Sequence, residues 1–359
     1  MPTIFLTGAT GYIGGHALQL IAKQHPEWEI ITLVRNKAQE ELLRKHFHCV
    51  RTVVGSLEDL DLVGNCAAEA DVVLQLASSS HPTSSTRMIN SMARRNKGTF
   101  IQMSGICALQ NHPHGYGKPS DIIYNDSDQD KFATSFSSSS PELSVLSAGK
   151  HNDVSASILC SGLIYGIGKG PGRRRGTTVP YLMEATLKRG KRFMIGEGTN
   201  VMSCIHIDDV ASALLVLTEH ALARQSRDSY LPDTCSLEPL PFYFLGSNTI
   251  SMNDLTKEIV KIAQSRSILS LDSPTIEQLS PGQAAQIHPW APMLWGSNCV
   301  GEAKQLEELR WQPEGPSLIE ALPEMLDFEI SLLAGRDEDL LCAWQTDVKI
   351  RREEIVSCF

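Results

Sequence analysis

TIFLTGATGYIGGHALQLIAKQ, from Thr3 to Gln24, is the stretch that decides the fold of this chain. A short apolar run leads directly into glycines at positions 8, 11 and 14, and an amphipathic segment follows them. The apolar run predicts a buried strand, and apolar residues spaced by three and four predict a helix. Strand, glycine-rich turn and helix in this order are typical of the start of a Rossmann dinucleotide-binding fold.

Each of the three glycines has its own physical role. Gly8 can take the positive φ of a tight turn, Gly11 lets backbone approach a pyrophosphate, and Gly14 lets the helix pack closely on the strand. The start of the helix then offers free N–H groups and a positive dipole end to the phosphates. The alternative is an ordinary strand-to-helix turn that binds nothing. The predicted cofactor contacts of this turn are Gly8, Thr10, Gly11, Tyr12, Ile13 and Gly14.

The end of the second predicted strand indicates which dinucleotide is bound. The strand runs from Glu29 to Val34 and is followed by Arg35, Asn36 and Lys37. A site for NAD(H) usually has an acidic residue here, which binds the ribose 2′-hydroxyl. Arg35 and Lys37 would instead attract a 2′-phosphate, so we expect NADP(H) to be favoured over NAD(H). In the alternative interpretation both are solvated surface cations.

Strand-like runs continue to alternate with amphipathic segments as far as residue 166. This alternation predicts the α/β class, with a doubly wound parallel sheet. Ligands of such sheets lie at the carboxyl ends of the strands, near the point where the strand order reverses. The strand ends that we expect to line this crevice are Leu57, Leu76, Ala77, Ser78, Ser104, Gly162 and Leu163.

The later part of the chain departs from strict alternation, which predicts a smaller C-terminal substrate lobe that interleaves with the Rossmann domain. We expect residues 1–166 and roughly 204–250 in the NADP-binding domain, residues 167–203 and 251–330 in the lobe, and residues 331–359 as a peripheral tail. The run Phe242 to Leu245 should return to the main sheet. Asp208 is a candidate N-cap, and Ser317 with Glu320 forms a capping box.

Composition excludes several classes of function. The net charge of −9, without a long basic block, argues against nucleic-acid binding. No run approaches the roughly 18 apolar residues of a membrane span. The nine cysteines show no paired spacing, and the first strand leaves no room for a signal peptide, so we expect reduced thiols and a cytoplasmic protein.

Other patterns carry less information. His112 and His114 have no cysteine or acidic residue at ligand spacing, so we expect no metal site. Arg173 to Arg175 could hold a diphosphate, but solvated surface charge is the commoner outcome. No Gly-x-Ser-x-Gly or His-Glu-x-x-His motif supports a hydrolase.

The sequence resembles the extended short-chain dehydrogenase/reductase superfamily, which includes sugar-nucleotide epimerases, dehydratases and dihydroflavonol-type reductases. Its segment from Ile164 to Pro180 is similar to atypical epimerase/dehydratase proteins of filamentous fungi, many of them in secondary metabolism. The resemblance extends to about residue 330. It is carried by TGATGYIGG (7–15), LVRNK (33–37), IQMSG (101–105), LCSGLIYGIGKGPG (159–172), FMIGEGTNVMSCIHIDDVASALL (193–215) and LRWQPEGPSLIEAL (309–322).

The family implies a Tyr-x-x-x-Lys pair after the fifth strand, in which the lysine lowers the pKa of the tyrosine, and a nearby Ser or Thr. This sequence lacks the pair, because Tyr116 is followed four residues later by Ser120, and Tyr124 by Asp128. The Ser/Thr position falls at or beside Ser104. Ser104 and Tyr116 are therefore the candidate catalytic residues, although a hydroxyl alone is a poor proton-transfer group at neutral pH.

These observations favour an NADP(H)-dependent oxidoreductase or epimerase acting on a small organic molecule, such as a natural-product intermediate. One alternative is a redox-neutral isomerase, cyclase or dehydratase that reuses the same pocket. Another is a non-enzymatic NADP sensor like the NmrA-type regulators. Family members often form dimers, so a homodimer is also an open expectation.

Overall fold

A computed structural model of the chain describes residues 1–93, 98–105, 108–225, 240–269 and 276–334. The strands are β1 (Thr3–Thr7), β2 (Glu29–Val34), β3 (Val50–Val54), β4 (Val72–Gln75), β5 (Thr99–Met103), β6 (Ile123–Asn125), β7 (Ser155–Ser161), β8 (Leu163–Tyr165), β9 (Phe193–Ile195), β10 (Val201–His206), β11 (Phe242–Leu245), β12 (Asn248–Ser251), β13 (Glu277–Leu279) and β14 (Val300–Glu302). The helices are α1 (Tyr12–Gln24), α2 (Lys37–His46), α3 (Leu60–Glu69), α4 (Pro82–Met92), α5 (Gln129–Ala133), α6 (Pro141–His151), α7 (Thr178–Arg189), α8 (Ile207–Gln225), α9 (Met252–Ser265), α10 (Pro281–Ile287), α11 (Ala291–Gly296), α12 (Gln305–Glu308) and α13 (Leu318–Leu333).

The main sheet has seven parallel strands in the order β11-β7-β5-β4-β1-β2-β3. The predicted doubly wound Rossmann sheet is therefore confirmed. Its strand order reverses between β1 and β4, which places the expected ligand crevice at the carboxyl ends of these two strands. The predicted return of Phe242 to Leu245 is confirmed too, because β11 pairs with β7 at the edge of the sheet.

Both faces of the sheet are covered, which explains why its strands read as continuous apolar runs. In β1 successive residues alternate between two cores: Phe5 packs in one, and Ile4 and Leu6 pack in the other. None of these three side chains has any solvent exposure. This period-two alternation holds the strand, and the turn that follows it, in a fixed position.

The described residues also form three small sheets: β12-β10-β8, β13-β9 and β14-β6. The chain passes from the main sheet to the first of them at Gly162, between β7 and β8, where a Cβ would lie 2.0 Å from the carbonyl oxygen of Ser203. This departure from strand–helix alternation occurs in the part of the chain where the interleaved lobe is expected, and the division into domains remains a prediction. Of the predicted tail, residues 331–333 form the end of α13, Ala334 is its C-cap, and residues 335–359 lie outside the described residues.

Local helix signals had mixed outcomes. The capping box at the start of α13 is confirmed, with the Ser317 and Glu320 side chains both bonded to backbone. The prediction that Asp208 is an N-cap is wrong, because β10 runs directly into α8 and Asp208 lies inside its first turn. Its carboxylate is engaged instead by Lys169, 2.7 Å away, and by His16.

Candidate functional site

The glycine turn, residues 8–14, is shaped by close backbone approaches. Gly8 has a φ of 80°, and a Cβ there would lie 2.8 Å from the backbone carbon of Leu76 at the end of β4. A Cβ at Gly14 would lie 2.2 Å from the Gly8 oxygen, and the Gly11 N–H donates to that oxygen at 2.8 Å. The turn therefore tolerates no side chain at Gly8 or Gly14, and it holds the tips of β1 and β4 together.

The start of α1 is open to an anionic ligand. Gly11 is its N-cap and provides no side-chain cap, and the first turn of the helix contains no acidic residue. The orphan N–H groups and the positive end of the helix dipole therefore point into the crevice without a competing carboxylate. This arrangement fits the pyrophosphate of a dinucleotide, which the predicted contacts Thr10 and Ile13 would flank.

The side chain of Tyr12 is buried in the protein interior. Its hydroxyl donates to the Gly166 carbonyl at 2.8 Å, and burial raises the pKa of the phenol well above its usual range. Only the backbone of Tyr12 is therefore available to a cofactor.

Hydrogen-bonded polar side chains, which the sequence analysis missed, link the strands whose ends border the crevice. The Thr7 hydroxyl donates to Gln75 and accepts from the N–H groups of Leu76 and Ala77, at 3.1 and 3.2 Å. Ser85 on α4 connects Gln75 to Gln102 of β5, donating to the latter at 2.8 Å. The available signal was a glutamine at or near the end of two largely apolar strands, VVLQ and TFIQM.

Arg35 and Lys37, the two cations predicted to select NADP(H), lie after the carboxyl end of β2, as the glycine turn lies after the carboxyl end of β1. Arg35 follows β2 directly and Lys37 begins α2, and both are exposed. The Arg35 N–H donates to the Gln39 side chain at 2.8 Å, and Asn36 caps α2. This arrangement fixes the backbone from which the Arg35 guanidinium extends.

The other predicted crevice residues are distributed along the carboxyl ends of the strands. Leu57 and Ser78 are half-buried, in the turns after β3 and β4, and Leu76 and Ala77 lie beside Gly8. Gly162 and Leu163 are both buried, and Leu163 pairs with Cys204 of β10. Leu163 could therefore contact a ligand only through its backbone.

A second glycine-rich segment, residues 166–176, packs on the glycine turn; we name it the clasp segment. A Cβ at Gly170 would lie 2.5 Å from the carbonyl carbon of Gly15, and one at Gly172 would lie 2.2 Å from the Thr10 oxygen. The Arg173 N–H donates to the same Thr10 oxygen at 2.9 Å. The sequence analysis missed this packing, although three alternate glycines, at positions 168, 170 and 172, were its signal.

Ion pairs hold the clasp segment in place. Lys169 pairs with Asp208, and Asp208 also accepts from His16 on α1 at 2.7 Å. The hydrogen bond from His16 and the contact with Lys169 hold the pKa of the Asp208 carboxyl well below its usual range. The expectation of solvated charge at Arg173 to Arg175 is wrong for Arg175, which is only 8% exposed and pairs with Glu184 and Glu329.

The two candidate catalytic residues lie in different surroundings. Ser104 comes directly after β5, is buried, and donates from Oγ to Glu142 Oε1 at 2.7 Å. Tyr116 is half-buried; its ring stacks on His112 and its hydroxyl lies 3.4 Å from the sulfur of Met293. No hydrogen bond between described residues joins the two candidates.

The part of the chain that the structure describes contains no group of three His, Cys, Asp or Glu side chains arranged to hold a metal ion. No helix within these described ranges is long and apolar enough to cross a membrane.

Comparison with known proteins establishes the family. The model of the NAD dependent epimerase/dehydratase family matches residues 4–231. This chain belongs to that family. It is accordingly an enzyme of the short-chain dehydrogenase/reductase superfamily, in which nicotinamide dinucleotides are the cofactors.

Two proteins illustrate the range of relatives to which this chain is similar. The oxidase ucsJ of an Acremonium species is 28% identical over 344 residues, which is 92% of this chain and 98% of that protein. The dTDP-glucose 4,6-dehydratase of Mycobacterium tuberculosis is 26% identical over 227 residues, which is 59% of this chain and 67% of that protein.

Solved structures of other epimerase/dehydratase family enzymes share the fold. UDP-glucose 4-epimerase from Thermotoga maritima aligns with a TM-score of 0.61 at 15% identity, covering 92% of this chain and 99% of that one. DesIV, a dTDP-glucose 4,6-dehydratase from Streptomyces venezuelae with NAD and TYD bound, aligns with a TM-score of 0.63 at 15% identity. This alignment covers 90% of this chain and 96% of DesIV.

Proposed function

We propose that this protein is an NADP(H)-dependent oxidoreductase or epimerase acting on a small organic substrate. The observation that carries the proposal is the glycine turn, which positions the uncapped start of α1 at the carboxyl ends of β1 and β4. The residues proposed to hold the dinucleotide are Gly8, Thr10, Gly11, Tyr12, Ile13, Gly14, Arg35, Lys37, Leu57, Leu76, Ala77, Ser78, Ser104, Gly162 and Leu163.

The preference for NADP(H) rests on charge. Arg35 and Lys37 are exposed at the end of β2, where a 2′-phosphate would come within reach of a guanidinium and an ammonium group. A planar guanidinium can bind a phosphate through two parallel hydrogen bonds. An acidic residue in this position would instead repel the phosphate and favour NAD(H).

A natural-product intermediate is the substrate class that the resemblance to proteins of fungal secondary metabolism favours, and one relative is an oxidase of an Acremonium species. The similarity to the Acremonium oxidase extends over 92% of this chain, so it includes the lobe and not only the Rossmann domain. Since the lobe of such a fold shapes the substrate pocket, similarity there bears on substrate class. We therefore place the substrate among small organic molecules of secondary metabolism.

The missing Tyr-x-x-x-Lys pair favours a second candidate. Neither α5 nor α6, the helices between β5 and β7, contains a tyrosine, and Lys150 is exposed in the last turn of α6. A redox-neutral isomerase, cyclase or dehydratase could retain the dinucleotide site without that pair. An NADP sensor would likewise bind the cofactor and show no turnover.

Calorimetric titration of the purified protein with NADP⁺, NADPH, NAD⁺ and NADH tests the proposal. We expect Arg35→Ala to weaken NADP(H) binding by roughly tenfold or more, since one charge-assisted contact to a phosphate is lost, and to leave NAD(H) binding unchanged. Arg44→Ala, an exposed arginine on the same helix as Lys37, is the control and should change neither. Absence of binding of all four dinucleotides would overturn the proposal, and equal affinity for NAD(H) and NADP(H) would overturn the preference.

A further inference from the structure

A buried hydroxyl–carboxylate pair lies at the carboxyl end of the main sheet. Ser104 and Glu142 are each 4% exposed, and the Ser104 hydroxyl donates to Glu142 Oε1 at 2.7 Å. Ser104 is fixed to the neighbouring strand by its N–H, which donates to the Leu159 carbonyl at 2.8 Å. Glu142 lies in the first turn of α6. The two groups are therefore held by separate rigid elements.

The carboxylate has unusual surroundings for a buried charge. Among the residues that the structure describes, Glu142 forms no salt bridge with a lysine, arginine or histidine. Buried carboxylates are normally paired with a cation, because desolvation of an unpaired charge is costly. Here the stabilising groups are the Ser104 hydroxyl and the positive end of the α6 dipole. Within the described residues, no ion pair therefore competes with the Ser104 hydroxyl for this carboxylate.

The thiol of Cys160, a third group beside Ser104 and Glu142, cannot act as a base. Cys160 of β7 is buried, and burial first and the Glu142 carboxylate second raise the pKa of its thiol well above the usual value. The thiol therefore stays protonated near neutral pH. Of the three groups, Glu142 is the one that can take up a proton.

The pair borders the crevice proposed for the dinucleotide. β5, which ends beside Ser104, pairs with β4, and β4 borders the point where the strand order reverses. A Cβ at Gly105 would lie 3.1 Å from Ser79 Oγ, so the chain after β5 touches the turn after β4. Ser104 thus lies along the same edge as Ala77 and Ser78, on the β5 side of the crevice.

We propose that Ser104 and Glu142 form the proton-transfer site of this enzyme, in place of a tyrosine–lysine pair. This inference rests on the proposed function. When bound, the dinucleotide supplies hydride acceptance or donation at its nicotinamide ring. Ser104 Oγ is the group that touches the substrate hydroxyl, and Glu142 is the base behind it.

In the oxidative direction, every proton and electron that leaves the substrate has an acceptor. The substrate O–H proton passes to Ser104 Oγ while the Ser104 proton passes to Glu142 Oε1. When bound, the oxidised dinucleotide would accept as hydride the electron pair of the substrate C–H bond, which breaks as the C–O bond becomes a carbonyl. The substrate loses two electrons, which the bound dinucleotide would take up, and the proton remains on Glu142 until it is released to water. In the reductive direction every transfer is reversed.

The arrangement overcomes the weakness of a lone serine. A serine hydroxyl has no useful acidity or basicity at neutral pH, but a relay through it to a carboxylate does not require a free alkoxide. The 2.7 Å donor–acceptor distance is within the range in which such a transfer takes place.

Binding of oxidised and reduced dinucleotide to Glu142→Gln tests the inference without a substrate. The oxidised nicotinamide ring is positively charged and the reduced ring is neutral, so a carboxylate beside it favours the oxidised form. We expect Glu142→Gln to raise the ratio of the NADP⁺ to the NADPH dissociation constant by about three- to tenfold. The variant keeps a hydrogen-bond acceptor for Ser104 and is expected to fold.

Glu320→Gln is the matched control, because it makes the same chemical change in the first turn of α13, where glutamine also completes a capping box. It should leave the ratio unchanged. If wild type binds no dinucleotide, the proposed function itself fails. If wild type binds both forms but Glu142→Gln leaves their ratio unchanged, only the present inference is overturned.

Reduction of a panel of cyclic ketones and aromatic aldehydes by NADPH provides a second readout. We expect Glu142→Gln and Ser104→Ala each to lower turnover at least about a hundredfold, and the double variant to lose little more, because the two groups act as one unit. Glu142→Asp should restore part of the rate. Turnover by Glu142→Gln within a few-fold of wild type would overturn the inference.

Discussion

Because Gly172 has no side chain, the backbone of the clasp segment can lie against the backbone of Thr10, which is distant in the sequence. A Cβ there would lie 2.2 Å from the Thr10 oxygen, and the next N–H, that of Arg173, donates to the same oxygen. The contact is between backbone atoms, so no side-chain rotation can relieve it. The shape of the glycine turn therefore depends on the clasp segment as well as on its own three glycines.

At this residue scale we predict that Gly172→Ala lowers the free energy of unfolding by about 1–3 kcal/mol, because the methyl group must displace backbone. It should also weaken dinucleotide binding, since Thr10 belongs to the glycine turn. Urea denaturation and calorimetry measure the two effects. Gly282→Ala is the control, because among the described residues no atom apart from its chain neighbours and the backbone of its own helix lies within 4 Å of the added Cβ. Equal stability of the two variants would contradict the prediction.

At the scale of elements, Asp208 connects helix α8 to helix α1 and to the clasp segment. Its carboxylate accepts from His16 at 2.7 Å and pairs with Lys169. These contacts hold its pKa well below the usual value. A depressed folded-state pKa gives stability that is present above the unfolded-state pKa, about 3.9, and is lost as the pH falls through the folded-state value.

We therefore expect Asp208→Asn to lower the melting temperature at pH 7 and to lose less stability than wild type when the pH is reduced below about 4. The melting temperatures of the two proteins should converge as the pH falls. Asp61→Asn removes an exposed carboxylate that pairs with Arg87, and its melting curve should follow that of wild type. If the melting temperature of wild type exceeded that of Asp208→Asn by the same amount in acid as at pH 7, the Asp208 ion pairs would not be the source of the difference.

The elements that could be predicted from the sequence are those with local causes. The glycine turn and the capping box of α13 each depend on residues a few positions apart. The parallel sheet pairs strands that are far apart in the sequence, but the local alternation of strand and helix patterns was enough to predict it. The clasp segment and the Asp208 contacts depend on residues that meet only after folding. Glu142 was missed for the same reason: its partner Ser104 lies on another element, and a glutamate after a proline at a helix start reads as an ordinary solvated residue.

At the scale of the whole molecule, a buried charge cluster connects α13, the last described helix, to α7 and to the clasp segment. Arg175 of the clasp segment pairs with Glu184 on α7 at 3.2 Å and with Glu329 on α13 at 2.6 Å. Two carboxylates thus share one guanidinium. Burial, with a further contribution from Glu184, raises the pKa of Glu329 to about 7, although Arg175 acts in the opposite direction.

The sign of the resulting pH dependence follows from that raised pKa. Because the folded state binds the Glu329 proton more tightly than the unfolded chain, its contribution to stability is present below the unfolded-state pKa, about 4.3, and is lost as the pH rises through about 7. We expect Glu329→Gln, which stays neutral, to flatten the loss of stability between pH 5 and 8, with a difference on the order of 1–3 kcal/mol. Urea denaturation across this range measures it. Glu320→Gln, on the exposed start of the same helix, should retain the wild-type slope, and a Glu329→Gln slope equal to that of wild type would exclude Glu329 as the titrating group.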